Sequence, residues 1–120
     1  MIEIMSGMPE NTVAVAAHGK VSGEDYEKVL VPALEKKLGT HKRIRFFYHL
    51  GDDFTGYTAS AIWDDAKLGI RHLTSFEKIA VVTDVPWVAD MVNVLGFLVP
   101  CPVKIFTNQK ISEAKAWLNE

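Results

Sequence analysis

The order of apolar and polar residues along the chain predicts strands that alternate with helices. Near the amino terminus, apolar and polar residues alternate over Ile2 to Ile4, and a second apolar run extends from Thr12 to His18. A segment rich in turn-forming residues separates these runs, so we predict that they pair as an antiparallel hairpin. Three later runs are short, apolar and rich in branched or aromatic residues, which is typical of buried strands. They are Ile44 to Leu50, Ile79 to Thr83 and Val103 to Thr107.

Four further segments place apolar residues at the spacing of a helix face. Ser22 and Asp25 resemble a capping box, which predicts that the first helix begins there. Pro32 cannot donate to the carbonyl of Lys28, so this helix is predicted to bend or break at that turn. The other helices are predicted from about Thr58 to His72, from about Pro86 to Phe97, and after Ser112, with Thr58 and Ser112 as caps.

The resulting order of elements is β-β-α-β-α-β-α-β-α. Strands that alternate with helices pair in parallel through right-handed crossovers, and the initial hairpin adds an antiparallel strand at one edge. The sequence therefore predicts the α/β class, with a mixed, mostly parallel sheet covered by helices. No repeat, low-complexity tract or linker divides the 120 residues, so residues 1–120 are predicted to form a single domain.

Charge and composition narrow the classes of partner. The chain carries 13 Lys and Arg residues against 15 Asp and Glu residues, which argues against a nucleic-acid partner and a polybasic membrane-surface protein. The most apolar window, Val85 to Val103, contains Asp90, Asn93 and three prolines, so we expect no stable membrane insertion. The amino terminus has no signal-peptide pattern and Cys101 is the one cysteine, which together predict a cytoplasmic protein.

The segment after Asp84 is more apolar than a helix that packs once on a sheet requires. One stripe contains Val88, Val92, Leu95 and Val99, and a second contains Trp87, Met91, Val94 and Leu98. A single packed face needs an apolar stripe of roughly 100°, and this segment offers about twice that. The extra stripe packs on a neighbouring helix, forms a self-association surface, or lines an apolar pocket, and the sequence leaves all three open.

Candidate chemistry is sparse. Asp52, Asp53 and Asp84 follow two of the predicted parallel strands, at the ends where open α/β sheets place their functional sites. The four histidines lack the spacing of a helical metal site, so no metal is predicted. Cys101 stands between two prolines with no adjacent base, which argues against a catalytic thiolate. We predict neither a cofactor nor an enzymatic activity, because no nucleophile and base are matched in a recognisable arrangement.

Several short motifs, taken in order, resemble the SpoIIAA-like family, which is related to the STAS domains of sulfate transporters and anti-sigma factor antagonists. The motifs are Phe54-x-Gly56-Tyr57, Ile62-Trp63-Asp64-Asp65-x-Lys67, His72, Phe76-x-Lys78-Ile79-Ala80-Val81-Val82-x-Asp84-x-x-Trp87 and Ala114-x-x-Trp117-Leu118. They extend over nearly the whole chain. The resemblance implies a mixed sheet with helices over one face, and a similarity to CRAL-TRIO lipid-binding domains.

The resemblance also implies a candidate phosphoacceptor site. Anti-sigma factor antagonists carry an Asp-Ser-Ser/Thr-Gly motif at the start of their second helix, and phosphorylation of its serine ends partner binding. Residues 53–60 occupy that region here, and Thr58 or Thr55 stands in the position of the acceptor. Phe54 and Tyr57 depart from the motif. A phosphate at a helix start would be compatible with the fold and would repel an acidic partner.

These observations predict a non-enzymatic regulatory protein-interaction module that responds to phosphorylation and forms a homodimer. Its partner or ligand surface is predicted to comprise Asp52, Asp53, Phe54, Tyr57, Trp63, Asp84, Trp87, Met91 and Leu95. The alternative is a carrier or sensor of a lipid or another small apolar ligand. Its pocket would lie between the second and third helices, lined by Tyr57, Trp63, Trp87, Met91 and Leu95.

Overall fold

The computed structural model describes residues 1–63, 67, 74–96 and 99–120 of the chain. The strands are β1 (Ile2–Ile4), β2 (Thr12–Val21), β3 (Ile44–Tyr57), β4 (Phe76–Thr83) and β5 (Val103–Phe106). The helices are α1 (Gly23–Asp25), a π-helical segment (Tyr26–Leu30), α2 (Val31–Leu38), the start of α3 (residues 59–63), α4 (Pro86–Leu95) and α5 (Ile111–Leu118), with a 3-10 turn (Asn108–Lys110) before α5.

The strands form one five-stranded sheet in the order β1-β2-β3-β4-β5. β1 is antiparallel to β2, and the three other neighbouring pairs are parallel. The predicted α/β fold, with its antiparallel edge strand, is therefore confirmed. The predicted end of the second helix at His72 and that of the third at Phe97 lie outside the described residues.

β3 is longer than its apolar run predicts. Arg45 to Leu50 pairs with both β2 and β4. The seven residues after Leu50, predicted as a loop, instead continue the strand and pair with β2 alone, where Phe54 lies opposite Gly19 and Tyr57 lies opposite Val21. A loop was predicted because glycine and aspartate residues are typical of turns. The prediction was wrong because β2 continues to Val21 and pairs with the residues that follow the bulge.

The extension of β3 begins with a bulge. Leu50 lies opposite Ala17 and Phe54 lies opposite Gly19, so residues 51–53 of β3 face a single residue of β2. We call these three residues the 51–53 bulge. Gly19 has a φ of +58°, a left-handed conformation that glycine adopts readily, at the point where the ladder changes register. The bulge projects two aspartates from the end of the regular sheet.

α1 begins as the capping box predicts. Ser22 Oγ accepts the backbone N–H of Asp25 at 3.2 Å, and the Asp25 carboxylate accepts the backbone N–H of Ser22 at 2.8 Å. The chain then widens into the π-helical segment, where the N–H of Val31 bonds to the carbonyl of Tyr26. Pro32 therefore lies in the first turn of α2, directly after the π-helical segment. The predicted break is not present, since helical residues run from Gly23 to Leu38, and the irregularity takes the form of this π-helical segment just before Pro32.

The sheet buries a core on each face, because alternate residues of a strand point to opposite sides. One core includes Val13, Val15, Phe46, Tyr48 and Val81 from the strands and Tyr26, Leu30, Leu34 and Val88 from the helices. The other includes Ala14, Phe47, Ala80, Val82 and Phe106 from the strands and Ala114 and Leu118 from α5. The expectation of helices over one face is therefore wrong for α5, which covers the opposite face.

Basic side chains from the sheet hold the carboxyl end of α5. Arg45 Nη1 donates to the carbonyl of Leu118, and Lys78 Nζ donates to the carbonyl of Trp117 at 3.1 Å. Both cations meet the end of a helix where the carbonyl groups carry partial negative charge. At the other end, α5 begins at Ile111, so Ser112 lies inside the first turn and its predicted role as cap is wrong.

Candidate interaction surface

The predicted acidic residues collect at the edge of the sheet where the parallel strands end. His18 lies near the carboxyl end of β2, and the 51–53 bulge follows the part of β3 that pairs with β4. Asp84 follows β4 directly. Because these strands are parallel, their carboxyl ends share one edge. The structure therefore brings Asp52, Asp53 and Asp84 to the same edge, as the sequence predicts.

Asn108, just after β5, holds two of these acids together. Its backbone N–H donates to Asp84 Oδ1 at 2.9 Å, and its Nδ2 donates to Asp52 Oδ1 at 3.4 Å. Asn108 thus connects the 51–53 bulge of β3 with the residue that follows β4, while both aspartates remain exposed. Neither carboxylate forms a salt bridge with any other residue that the structure describes. Both are available to a basic group on a partner.

Asp53 is instead paired with a histidine. His18 Nδ1 lies 2.7 Å from Asp53 Oδ2, and His18 Nε2 lies 3.3 Å from Glu3 Oε1. Carboxylates only accept hydrogen bonds, so both ring nitrogens can donate only when the imidazole is protonated. The hydrogen bond to Asp53 raises the pKa of His18 most, burial opposes this, and Glu3 raises it further. When it is protonated, the ring can donate to both carboxylates and so links β1, β2 and the 51–53 bulge.

Aromatic rings fill the space beside this edge. The ring centroid of Phe54 lies 5.1 Å from that of Tyr57 and 6.0 Å from that of Trp87. Tyr57 lies 6.0 Å from Trp87 in an edge-on arrangement and stacks at 6.4 Å on Tyr26. Edge-on and offset arrangements are the favoured ones for aromatic pairs. The extension of β3 thus supplies the two rings against which Trp87 packs.

Hydroxyl groups fix the inner side of the aromatic cluster. The hydroxyl of Tyr57 donates to that of Tyr48 at 3.1 Å, and the hydroxyls of Tyr48 and Tyr26 are also 3.1 Å apart. Tyr26 and Tyr48 are buried, so these contacts satisfy polar groups that water does not reach. The network orients Tyr57, and Tyr57 in turn positions Trp87.

α4 leaves part of its apolar surface exposed. Val88 is buried against the sheet, whereas Trp87 is 47% exposed and Val94 is 67% exposed. Asp90 is exposed and lies one turn beyond Trp87 on the same helix face. Of the three alternatives for the second stripe, complete burial against a neighbouring helix is therefore wrong for Trp87 and Val94. We call the exposed residues Asp52, Asp53, Asp84, Trp87 and Asp90 the edge surface.

The candidate phosphoacceptors lie beside the aromatic cluster. Thr58 caps α3 as predicted, since its Oγ1 accepts the backbone N–H of Ala61 at 3.1 Å. The same oxygen lies 3.0 Å from Ser60 Oγ, which accepts the backbone N–H of Gly23 at 3.2 Å. Thr55 is exposed and lies on the extension of β3. A phosphate on Thr58 would stand at the start of a helix, whereas one on Thr55 would stand on a strand.

The remaining residues of the predicted surface differ in how exposed they are. Trp63 is 66% exposed at the start of α3, and Met91 is half-buried on α4. The backbone of Leu95 ends α4, and its side chain lies outside the described residues. The structure thus brings together Tyr57 and Trp87, two of the five residues predicted to line an apolar pocket, and places them in contact with each other.

Sequence reasoning missed three residues at this edge: Glu3, His18 and Asn108. His18 and Asn108 stand at or just after the ends of strands, and that position was a signal that could have identified them. Their partners, however, depend on the register of β2 against β3 and on the bulge, which periodicity does not give. For Asp90, the spacing from Trp87 was a sufficient signal, because residues three apart share one helix face.

Other features of the described residues offer less chemistry. No group of three or more His, Cys, Asp or Glu side chains in this part of the chain could hold a metal ion. Burial raises the pKa of the Cys101 thiol, and the nearby Arg43 opposes this only in part. An open cavity of about 160 Å³ is lined by Val92, Asn93, Gly96 and Val103. None of the helices described is long and apolar enough to cross a bilayer.

Comparison with known proteins identifies the relatives of the chain. A family model described as SpoIIAA-like matches residues 12–119. One similar solved structure is the crystal structure, at 2.25 Å resolution, of an uncharacterized protein from the DUF3478 family with a SpoIIAA-like fold, from Shewanella loihica PV-4. The two chains are 28% identical, with a TM-score of 0.76 over 98% of this chain and 92% of the other. No curated protein matches the chain significantly.

Proposed function

Because the chain belongs to the SpoIIAA-like family, we propose that it is a non-enzymatic, STAS-type module that binds another protein through the edge surface. The observation that carries this proposal is Trp87, which is half exposed yet held in place by Phe54 and Tyr57. Rigid, partly exposed aromatic side chains are typical anchors of protein interfaces, because they bury a large area with little loss of side-chain freedom.

Site-specific photocrosslinking tests this proposal. A benzoylphenylalanine at Val94, an exposed position one turn beyond Asp90, would react with whatever covers this face of α4. The matched control is the same residue at Glu113, which is exposed on α5 and lies on the opposite face of the sheet. We expect an adduct in the protein's own cells from position 94 and none from position 113. No adduct from position 94, or equal adducts from both, would contradict the proposal.

The same experiment examines the predicted homodimer. An adduct of twice the chain mass would identify a second copy as the occupant of the surface, whereas an adduct of different mass would identify another protein. Native mass spectrometry of gently purified protein gives the subunit number independently. Together the two measurements show whether a second copy of the chain covers the exposed apolar residues of α4.

We further propose that phosphorylation of Thr58 or Thr55 weakens partner binding. Thr58 lies next to Tyr57, which contacts Trp87, so a new negative charge there would lie near the anchor of the interface. We expect Thr58→Glu to reduce the adduct from position 94, while Thr58→Ser, which keeps the cap, leaves it unchanged. Equal adducts from both variants would count against Thr58, and the corresponding Thr55→Glu variant would then be compared with Thr55→Ser.

The carrier alternative has weaker support. Tyr57 and Trp87 contact each other instead of lining an open space, and Trp63 is mostly exposed. A bound lipid retained in native mass spectra, together with a change in tryptophan fluorescence on titration with fatty acids, would nevertheless favour a carrier over an interaction module.

A further inference from the structure

Exposed charged residues lie at both ends of the parallel strands. Lys42 and Arg43 are exposed and directly precede β3 at the edge where the parallel strands begin. Asp52 and Asp53, in the 51–53 bulge, mark the edge where they end, and Asp84 joins them there. The chain as a whole has a net charge of only -2. Four of the five residues of the edge surface are aspartates, and exposed lysines, Lys20 at the end of β2 and Lys110 after β5, lie near the same ends of the strands.

Two acidic residues of this surface lie close to Trp87 along the chain. Asp84 lies three residues before it, and Asp90 lies one helical turn after it. Asp84 and Asp90 form no salt bridge with another described residue. An exposed aromatic ring is thus flanked along the chain by two carboxylates, Asp84 and Asp90, whose charge no described salt bridge neutralises, whereas Asp53 is paired with His18.

We propose that the edge surface receives a cationic segment of a separate protein, with an arginine side chain lying on Trp87 and pairing with Asp84 or Asp90. This inference rests on the proposed interaction function and specifies the chemistry of the partner. A guanidinium group fits both features of the surface, because its flat face stacks on an indole ring and its N–H groups donate to carboxylates in pairs. An apolar side chain beside the arginine would contact Val94 on the same helix face.

Two matched peptides test the chemistry directly. Both are twelve residues long with the same leucine positions, and one carries four arginines where the other carries four citrullines, which have the shape of arginine without its charge. Each is titrated into isotopically labelled full-length protein, and binding is followed by backbone amide chemical shifts and by tryptophan fluorescence. We expect the arginine peptide to shift resonances of residues 52–54 and 84–94, and to bind roughly tenfold more tightly than the citrulline peptide.

Charge-neutralising variants of the protein provide the matched comparison. Asp84→Asn together with Asp90→Asn keeps an acceptor oxygen for the N–H of Asn108 while removing two charges. We expect this double variant to lose the preference for arginine. The control, Glu10→Gln with Glu113→Gln, removes the same number of exposed charges elsewhere and should retain the preference. Amide spectra without peptide report whether each variant remains folded.

The outcomes separate this inference from the proposed function. Equal affinity for the two peptides at the edge surface would overturn the cationic partner and leave an apolar interaction site in place. Arginine-dependent shifts outside residues 52–54 and 84–94, or no shifts with either peptide, would also overturn it. The proposed interaction function is judged separately, by the photocrosslinked adduct from position 94. An adduct with a second copy would overturn the proposal of a separate partner.

Discussion

Gly56 has a φ of +137°, a backbone conformation that side chains of other residues rarely permit. A Cβ at this position would meet no atom within 4 Å, so the cost of Gly56→Ala comes from the backbone alone. We expect this substitution to lower the free energy of unfolding by about 1–3 kcal/mol in urea titrations. The matched control is Gly51→Ala, which lies on the same strand without a positive φ and should be unchanged or slightly more stable. Equal losses in both variants would contradict this account.

His18 gives the stability a dependence on pH. Its pKa is raised in the folded protein, chiefly by the hydrogen bond to Asp53, so the charged ring stabilises the fold. This contribution is fully present below the ordinary histidine pKa of about 6.5 and is lost as the pH rises through the higher, folded-state pKa. The contact is partly exposed, so its contribution should not exceed about 1 kcal/mol.

Urea titrations of His18→Gln test this sign. We expect the variant to be less stable than the parent at pH 5.5, with a smaller difference at pH 8.5. His41→Gln is the control, since the ring of His41 contacts Thr40 and a backbone carbonyl and bonds to no described carboxylate. A difference for His18→Gln that stays constant with pH would show that packing, and not charge, is what the histidine contributes.

Among the elements, α5 depends on cations from the strands beneath it. Arg45 and Lys78 both donate to carbonyl groups in its last turn. We expect Arg45→Met with Lys78→Met to lower the free energy of unfolding by about 1–3 kcal/mol, because buried or half-buried acceptors lose charged donors. Hydrogen exchange of the α5 amides should accelerate more than that of β2. Lys104→Met, which removes a lysine that lies over the rings of Phe106 and Trp117 but donates to no described α5 carbonyl, is the control.

The elements also show how far the sequence predicts this fold. Local chemistry was a sufficient guide to the capping box at Ser22 and to the irregular turn at Pro32, since each depends on residues within one helical turn. The extension of β3 could not be predicted in this way. Gly51 to Asp53 has the composition of a loop, and its strand geometry depends on β2, more than 30 residues away in the chain.

The sequence was enough to predict where the acidic residues lie, but not which residues they bond to. Parallel strands place their carboxyl ends at one edge, so Asp52, Asp53 and Asp84 were expected to converge. The pairing of Asp53 with His18 depends on the bulge, and the position of Asn108 depends on β5. The face of the sheet that α5 covers could not be predicted either. The residues of β2, β3 and β4 are apolar at both odd and even positions, so a helix could pack on either face.

At the scale of the whole molecule, the same strands contribute side chains to the cores on both faces of the sheet. We therefore expect the two cores to unfold together. Trp87 reports on the edge surface, and Trp117 packs against the core beneath α5. We expect single-tryptophan variants, with phenylalanine at the other two positions, to unfold at the same urea concentration. Phe47→Ala, which empties the α5 side, should shift both transitions together and cost about 3–5 kcal/mol. Transitions that separate would show that the two faces unfold independently.

The 51–53 bulge has a consequence for how relatives of this protein can diverge. Its three residues lie opposite one residue of β2, and β3 is paired with β2 both before and after them. Residues can therefore be gained or exchanged at this point without shifting the register of the strands or moving the rings of Phe54 and Tyr57. The position is a natural one for insertions and sequence variation, where partner preference could change during evolution, or be redesigned in the laboratory, on an unaltered scaffold.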